Sequence, residues 1–261
     1  QPIGGSVPGQ LGPAQRATGW QRLADEQFDV VVIGGGVVGA GAALDAATRG
    51  LKVALVEARD LASGTSSRSS KLFHGGLRYL EQLEFGLVRE ALRERELTLT
   101  RLAPHLVKPV SFLYPLTHRI WERPYVAAGL ALYQTLGGAR SVPGQRHLTR
   151  AAALRMAPAL RRNTLIGGVH YYDAIADDAR HTLTVARTAA QYGAVVRSST
   201  QVIGFLREAD RICGVRVRDC ETGEETVPVR HGAPLVTHDG AEAGVVTSGT
   251  ISPSTQRAIM L

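Results

Sequence analysis

The chain predicts an α/β fold built on a parallel sheet, and three adjoining stretches carry that prediction. "FDVVVI", residues 28–33, is apolar and β-branched apart from Asp29, as a strand buried on both faces is. A glycine-rich turn follows, and "VVGAGAALDAATRG" then has the alanines of a helix and Gly50 as its stop. "LKVALVE", residues 51–57, reads as a second short strand. Strand, helix and strand together make one βαβ unit over 28–57.

Residues 58–76 are rich in Ser, Thr and Gly and read as loop. "EFGLVREALRERELTLTRLAP" is an amphipathic helix, with Val88, Ala91, Leu92, Leu99 and Leu102 as its apolar face and Pro104 beyond its end. A short strand at "PVSFLYPL" and helices over 124–136 and 149–157 follow. "DDARHTLTVARTAAQYGAVVR" predicts a helix from about Asp177 that runs into a strand at 194–197. Residues 201–229 alternate apolar and polar, with turn signals at "EAD" and "ETGE", which is the pattern of an antiparallel meander.

With 44% hydrophobic and 20% charged residues, the 261-residue chain has the composition of a soluble globular protein with a substantial core. Its net charge of +7 is spread along the sequence, with no basic run of the kind that binds nucleic acid. Cys213 and Cys220 lack the neighbours of a metal site and read as reduced thiols, so no metal is expected. No apolar stretch is long enough to span a bilayer, and no secretory signal is legible at the start. Residues 1–26 open on a Gly-, Pro- and Gln-rich stretch and read as a disordered lead-in.

"GGGVVG" places Gly34, Gly36 and Gly39 between the first strand and its helix, in the spacing of a dinucleotide fingerprint. The first glycine permits the tight turn, and the second lets backbone approach a pyrophosphate. The third lets helix and strand pack closely, while the helix N-terminus offers N–H groups to the phosphates. Glu57 ends the second strand, where a carboxylate accepts hydrogen bonds from a ribose. The motif predicts an adenine dinucleotide and leaves FAD and NAD open.

The loop after Glu57 adds "DLASGTSS", "SSKL", "HGGLRYLE" and "EFGLVREAL". With "LGGARSVPGQRHL" and "YYDAIADDARHTL", these blocks resemble the aerobic, FAD-dependent glycerol-3-phosphate dehydrogenases from about Phe28 to Arg230. The resemblance implies a Rossmann-like FAD-binding domain of the glutathione-reductase/amino-acid-oxidase type, with part of a substrate domain and a β-hairpin tail. It implies FAD-binding segments at 27–105 and 171–230, the second carrying the meander, and a substrate-side region at 106–170. Thr65, Ser66, Ser67, Lys71, Leu72, Gly75 and Gly76 are then cofactor contacts. Arg78, whose planar fork suits a phosphate, and Tyr79, a phenolic donor, lie on the substrate side. His74 reads as a structural histidine beside the flavin.

The implied reaction is oxidation of sn-glycerol 3-phosphate to dihydroxyacetone phosphate. A hydride leaves C2 for the flavin while a base takes the hydroxyl proton. Electrons pass on to a quinone, which implies a cytoplasmic protein attached peripherally to the membrane's cytoplasmic face. The base is expected outside this chain, so little or no turnover is expected of the chain alone. Two alternatives stand: another FAD-dependent amine or hydroxy-acid oxidoreductase, and a non-catalytic FAD-binding fragment.

Residues 231–261 interrupt the pattern. "GAPL", the "DG" of "THDGAEAG" and "VTSGTISPS" resemble the end of the glycine-cleavage aminomethyltransferases (T-protein). The segment suits a hairpin turning at Asp239-Gly240 and, without the rest of that fold, is expected to have no folate activity.

Overall fold

The computed structural model describes residues 9–73, 82, 84–118, 120–137, 142–208, 211–227, 229–230, 250–251 and 258–259. The chain divides into two compact units, Gln1–Ser69 with Asp178–Leu261, and Ser70–Asp177.

In the first unit, β2 (Val30–Ile33), β3 (Val53–Val56) and β8 (Val195–Arg197) form a parallel sheet in the order β2-β3-β8. Helices α2 (Val37–Thr48) and α6 (Asp178–Gln191) supply one layer of core. Ala40, Ala43 and Ala47 of α2 meet Ala186 and Ala189 of α6 over Val32, Val53 and Leu55. Alanines on both helices permit close approach, since each keeps only a methyl group between backbones. A separate cluster joins Ala54, Val56 and Val195 to Phe28, Leu23, Val215 and Val217. All four residues of β3 are buried, which is why its sequence is apolar without alternation.

The run over 28–33 is two strands and not one. β1 (Gln27–Phe28) pairs in parallel with β12 (Val229–Arg230), whereas β2 pairs with β3. Asp29 marks the break: its N–H donates to the Lys52 carbonyl at 2.9 Å and its carboxylate accepts the Lys52 N–H at 2.8 Å. The meander forms as expected, with β9 (Thr200–Glu208), β10 (Arg211–Asp219) and β11 (Glu225–Thr226) antiparallel.

The disordered lead-in is corrected over residues 13–25, which form helix α1 (Pro13–Asp25) with proline in its first turn. Gly19 and Leu23 are its buried positions, and Arg16, Gly19, Trp20 and Leu23 recur at helical spacing. The glycines and prolines of residues 1–12 had masked that stripe in the composition.

His181, on α6, is held below the ordinary histidine range by burial. The unfolded chain therefore takes up a proton near pH ~6.5 that the folded chain refuses. Stability is expected to fall as the pH drops through that value toward the lower folded pKa, and His181→Gln should flatten this slope in urea titrations at pH 5.5 to 7.5.

The second unit is an antiparallel sheet. β5 (Val107–Leu116) and β7 (Gly167–Ala176) pair along their full lengths, and β4 (Leu72–Phe73) and β6 (Arg146–Thr149) also pair with β7. Helices α3 (Phe85–Leu97) and α4 (Glu122–Gly137) bring Val88, Leu92 and Tyr133 into one cluster, while Leu130 packs on Leu116 and Val169. Thr149 caps the short helix α5 (Arg150–Met156) by accepting the Ala152 N–H.

The apolar face read into 85–102 holds at Val88 and Leu92 and fails at Leu102, which is 68% exposed. After Leu97 the helix widens to a π-turn over Thr98–Leu102, closed by the Ala103 N–H on the Thr98 carbonyl. One added residue in a turn rotates everything beyond it by about 100°, which turns Leu102 outward.

Buried between these helices and β7, Arg95 donates to Asp173 at 2.7 Å and the Tyr133 hydroxyl donates to the other carboxylate oxygen at 3.0 Å. The Arg95 guanidinium also lies 5.7 Å from the centre of the Tyr133 ring.

Candidate cofactor site

The glycine turn leaves the C-terminal end of β2. Gly34 has φ +108°, a conformation that a Cβ disfavours, and its N–H donates to the Val56 carbonyl at 2.8 Å. Gly36 is the N-cap of α2, and the Ala40 N–H donates to its carbonyl. A Cβ on Gly39 would stand 2.0 Å from the Gly34 carbonyl oxygen, so strand end and helix touch here through backbone alone. Gly34 thus makes the tight turn and Gly39 the close helix–strand contact that their spacing predicts, with Gly36 capping the helix between them.

Gly35 is a fourth constrained position that the spacing did not single out. A Cβ there would lie 2.6 Å from Leu61 Cδ2 and 2.9 Å from Glu57 Cβ. Its N–H donates to Glu57 Oε2 at 2.7 Å, and its carbonyl accepts the Ala62 N–H. The unbroken "GGG" was the available signal.

Glu57 stands just past β3, where its other carboxylate oxygen accepts the Arg59 N–H at 2.8 Å. Each oxygen has a second lone pair, so the carboxylate is oriented by backbone and still able to accept from a hydroxyl. Ser66, in a single 3₁₀ turn over Thr65–Ser67, places its hydroxyl on the Val37 N–H at the start of α2, at 2.8 Å. A Cβ on Gly36 would stand 3.0 Å from that same oxygen. The structure therefore brings Gly34, Gly35, Gly36, Glu57 and Ser66 together, with Thr65 and Ser67 flanking.

Lys71 and Leu72 belong to the second unit. Lys71 has φ +60° and its carbonyl accepts the Ala176 N–H, while Leu72 pairs with Ile175. His74, Gly75, Gly76, Arg78 and Tyr79 lie outside the described residues, as does the turn at Asp239-Gly240.

Behind Glu57 sits a charge cluster, buried at Arg197 and Asp219 and partly exposed at Arg16, that sequence reasoning missed. Arg197, in β8, donates to Asp219 and to the Arg16 carbonyl, with its guanidinium 4.8 Å from the centre of the Trp20 ring. Arg16 donates to the other Asp219 oxygen at 2.9 Å. Burial opposes the Asp219 charge, but the Glu221 N–H and the two guanidiniums outweigh it and hold the carboxyl below its usual range. Burial, together with the charge of Arg16, brings Arg197 down from the ordinary arginine value. The residues concerned lie far apart in sequence, and no local pattern announces them.

The site has the parts of a dinucleotide cradle: a glycine turn that a side chain would fill, a helix N-terminus, and an oriented carboxylate beyond the neighbouring strand. A family model described as "FAD dependent oxidoreductase" matches residues 29–259. The chain belongs to the FAD-dependent oxidoreductase family. FAD is the cofactor of that family, and the glycine cradle with Glu57 fits its adenosine diphosphate half.

The chain is 77% identical over 216 residues to a glycerol-3-phosphate dehydrogenase of Mycobacterium leprae, covering 83% of this chain and 37% of that one. The FAD complex of the Bacillus halodurans glycerol-3-phosphate dehydrogenase superposes with a TM-score of 0.61 at 30% identity, over 83% of this chain and 35% of that one. The L-proline dehydrogenase of P. horikoshii superposes with a TM-score of 0.59 at 22% identity, over 78% of this chain and 51% of that one, and shows the fold alone. The chain thus spans little more than a third of the length of the M. leprae relative.

Proposed function

We propose that this chain is the nucleotide-binding part of an FAD-dependent glycerol-3-phosphate dehydrogenase. The observation that carries the reading is the 77% identity to the M. leprae enzyme over 216 residues, and the geometry of the glycine turn agrees with it.

In this reading the N-terminus of α2 faces the pyrophosphate, with Gly36 admitting it against the backbone and the Ser66 hydroxyl beside it. Glu57, held by the Gly35 and Arg59 N–H groups, accepts from the adenosine ribose. FAD, when bound, supplies the acceptor for the hydride from C2 of the substrate. Arg78 holds the phosphate dianion through its fork and Tyr79 donates a phenolic hydrogen bond, both on the strength of the "HGGLRYLE" block. A quinone as electron acceptor, a cytoplasmic location and peripheral membrane contact belong to the same proposal. Exposed Ile120, Trp121 and Tyr125, with the two aromatic rings 6.1 Å apart, are residues of the type that sits at a lipid headgroup layer.

The test is a visible spectrum of the FAD-loaded chain under anaerobic conditions. Addition of sn-glycerol 3-phosphate is expected to perturb the flavin band, and Arg78→Met to weaken that response by about 10-fold to 100-fold, the value of a charge-assisted phosphate contact. A response to proline, glycine or a simple hydroxy acid, with none to glycerol 3-phosphate, would replace this reading with an amine or hydroxy-acid oxidoreductase.

For residues 231–261 we propose an aminomethyltransferase-like segment without activity, on the "VTSGTISPS" resemblance. Calorimetric titration with tetrahydrofolate is expected to show no heat of binding, and saturable binding would overturn the proposal.

A further inference from the structure

We propose that helix α1 and the Arg16–Asp219–Arg197 cluster are a positioning device for the cofactor's ribose, acting through the backbone that carries Glu57. The proposal rests on the FAD reading above and adds helix α1, which lies outside the family match because Pro13–Asp25 precedes the matched residues 29–259.

The Glu57 N–H donates to the Arg197 carbonyl at 2.9 Å, and the Glu57 carbonyl accepts the Thr200 N–H at 2.8 Å. The Arg59 carbonyl accepts the Ser199 N–H at 2.7 Å. The segment that aims the ribose carboxylate is therefore pinned to the turn between β8 and β9. That turn is not relaxed: Ser199 has φ +47°, a left-handed conformation that a non-glycine residue keeps only when its surroundings enforce it.

Helix α1 and the end of β10 supply the enforcement. Arg16 donates to the Ser198 carbonyl at 2.6 Å and to Asp219 at 2.9 Å. The Cys220 N–H donates to the Ser199 carbonyl at 2.8 Å. Arg197 Nε donates to the Thr200 hydroxyl at 3.2 Å, and that hydroxyl donates to the Ser198 carbonyl at 3.0 Å. Every nitrogen of the Arg197 guanidinium is thus engaged, and the Trp20 ring packs near the group. Buried charges this fully paired hold one geometry, because any displacement leaves a charge unpaired. Removing Arg16 takes away the anchor of Ser198 and one of the two cations on Asp219. The turn can then relax from its left-handed residue, and the Glu57 segment moves with it.

The experiment measures ADP and 2′,3′-dideoxy-ADP binding by calorimetry to the full chain and to its Arg16→Ala variant. The unmodified chain is expected to prefer ADP by about tenfold or more, the value of a hydroxyl–carboxylate hydrogen bond. In Arg16→Ala the affinity for ADP should fall to that for the dideoxy ligand, which itself changes little. A simple loss of stability would not erase this preference, because both ligands report on the same folded fraction. Arg16→Lys keeps a cation beside Asp219 without the fork onto Ser198, and should show a partial collapse if Arg16→Ala does not fold. A preference that survives in both variants would overturn the proposal while leaving the FAD reading intact. Absence of any preference in the unmodified chain would overturn it together with the ribose role of Glu57.

Discussion

Gly39→Ala is expected to abolish FAD binding and to lower the stability of the first unit. The added methyl would sit 2.0 Å from the Gly34 carbonyl oxygen, which is backbone and cannot rotate away. Overpacking against movable side chains typically costs about 1–3 kcal/mol. Here relief requires the whole of α2 to lift from the end of β2, carrying the helix N-terminus off the pyrophosphate position. Ala40, Ala43 and Ala47 would then lose their packing on Ala186 and Ala189. Flavin titration together with urea denaturation reads both effects, and a variant that binds FAD as tightly as the parent would refute the packing argument. Gly41→Ala is the matched control, since a Cβ there meets nothing within 4 Å.

Asp173→Ala should be the most destabilising single change in the second unit. Arg95 and Asp173 have side chains 3% and 6% exposed, so the variant strands a guanidinium in the interior. Breaking a buried pair from one side costs roughly 3–5 kcal/mol, because the remaining charge keeps its desolvation penalty without its partner. The Tyr133 hydroxyl loses its acceptor as well. The double variant Arg95→Met/Asp173→Leu removes the charge with the pair and should recover much of the loss. A double variant as unstable as Asp173→Ala would mean that the pair contributes net attraction beyond satisfying its own burial. Thermal unfolding of the three proteins decides between these.

The fingerprint was legible because its chemistry is local. Gly34, Gly36 and Gly39 are fixed by the turn they make, and Glu57 by the end of a short strand. The apolar blocks at 30–33 and 53–56 were likewise readable, since both strands pack apolar residues on both faces, the second fully buried and the first partly, which leaves no alternation to misread. What escaped was decided by distant partners. Asp29 divides one apolar run between two sheets because its backbone and carboxylate meet Lys52. Helix α1 shows in the Arg16, Gly19, Trp20 and Leu23 spacing only once the Gly- and Pro-rich start is set aside. Arg197 reads as an ordinary strand-end arginine until Arg16 and Asp219 are placed against it from far along the chain. The π-turn at Thr98–Leu102 has no sequence signature that the heptad-like spacing of its apolar residues would reveal.

The glycine turn with Glu57 is expected to work as an FAD cradle. Titration of the purified, flavin-free chain with FAD, followed by flavin fluorescence and the visible band, tests it most directly. One equivalent of FAD bound, with affinity reduced about tenfold or more on Glu57→Ala and binding lost on Gly39→Ala, is the predicted result. A chain folded by circular dichroism that binds no FAD would rule out the glycine turn as a cofactor cradle.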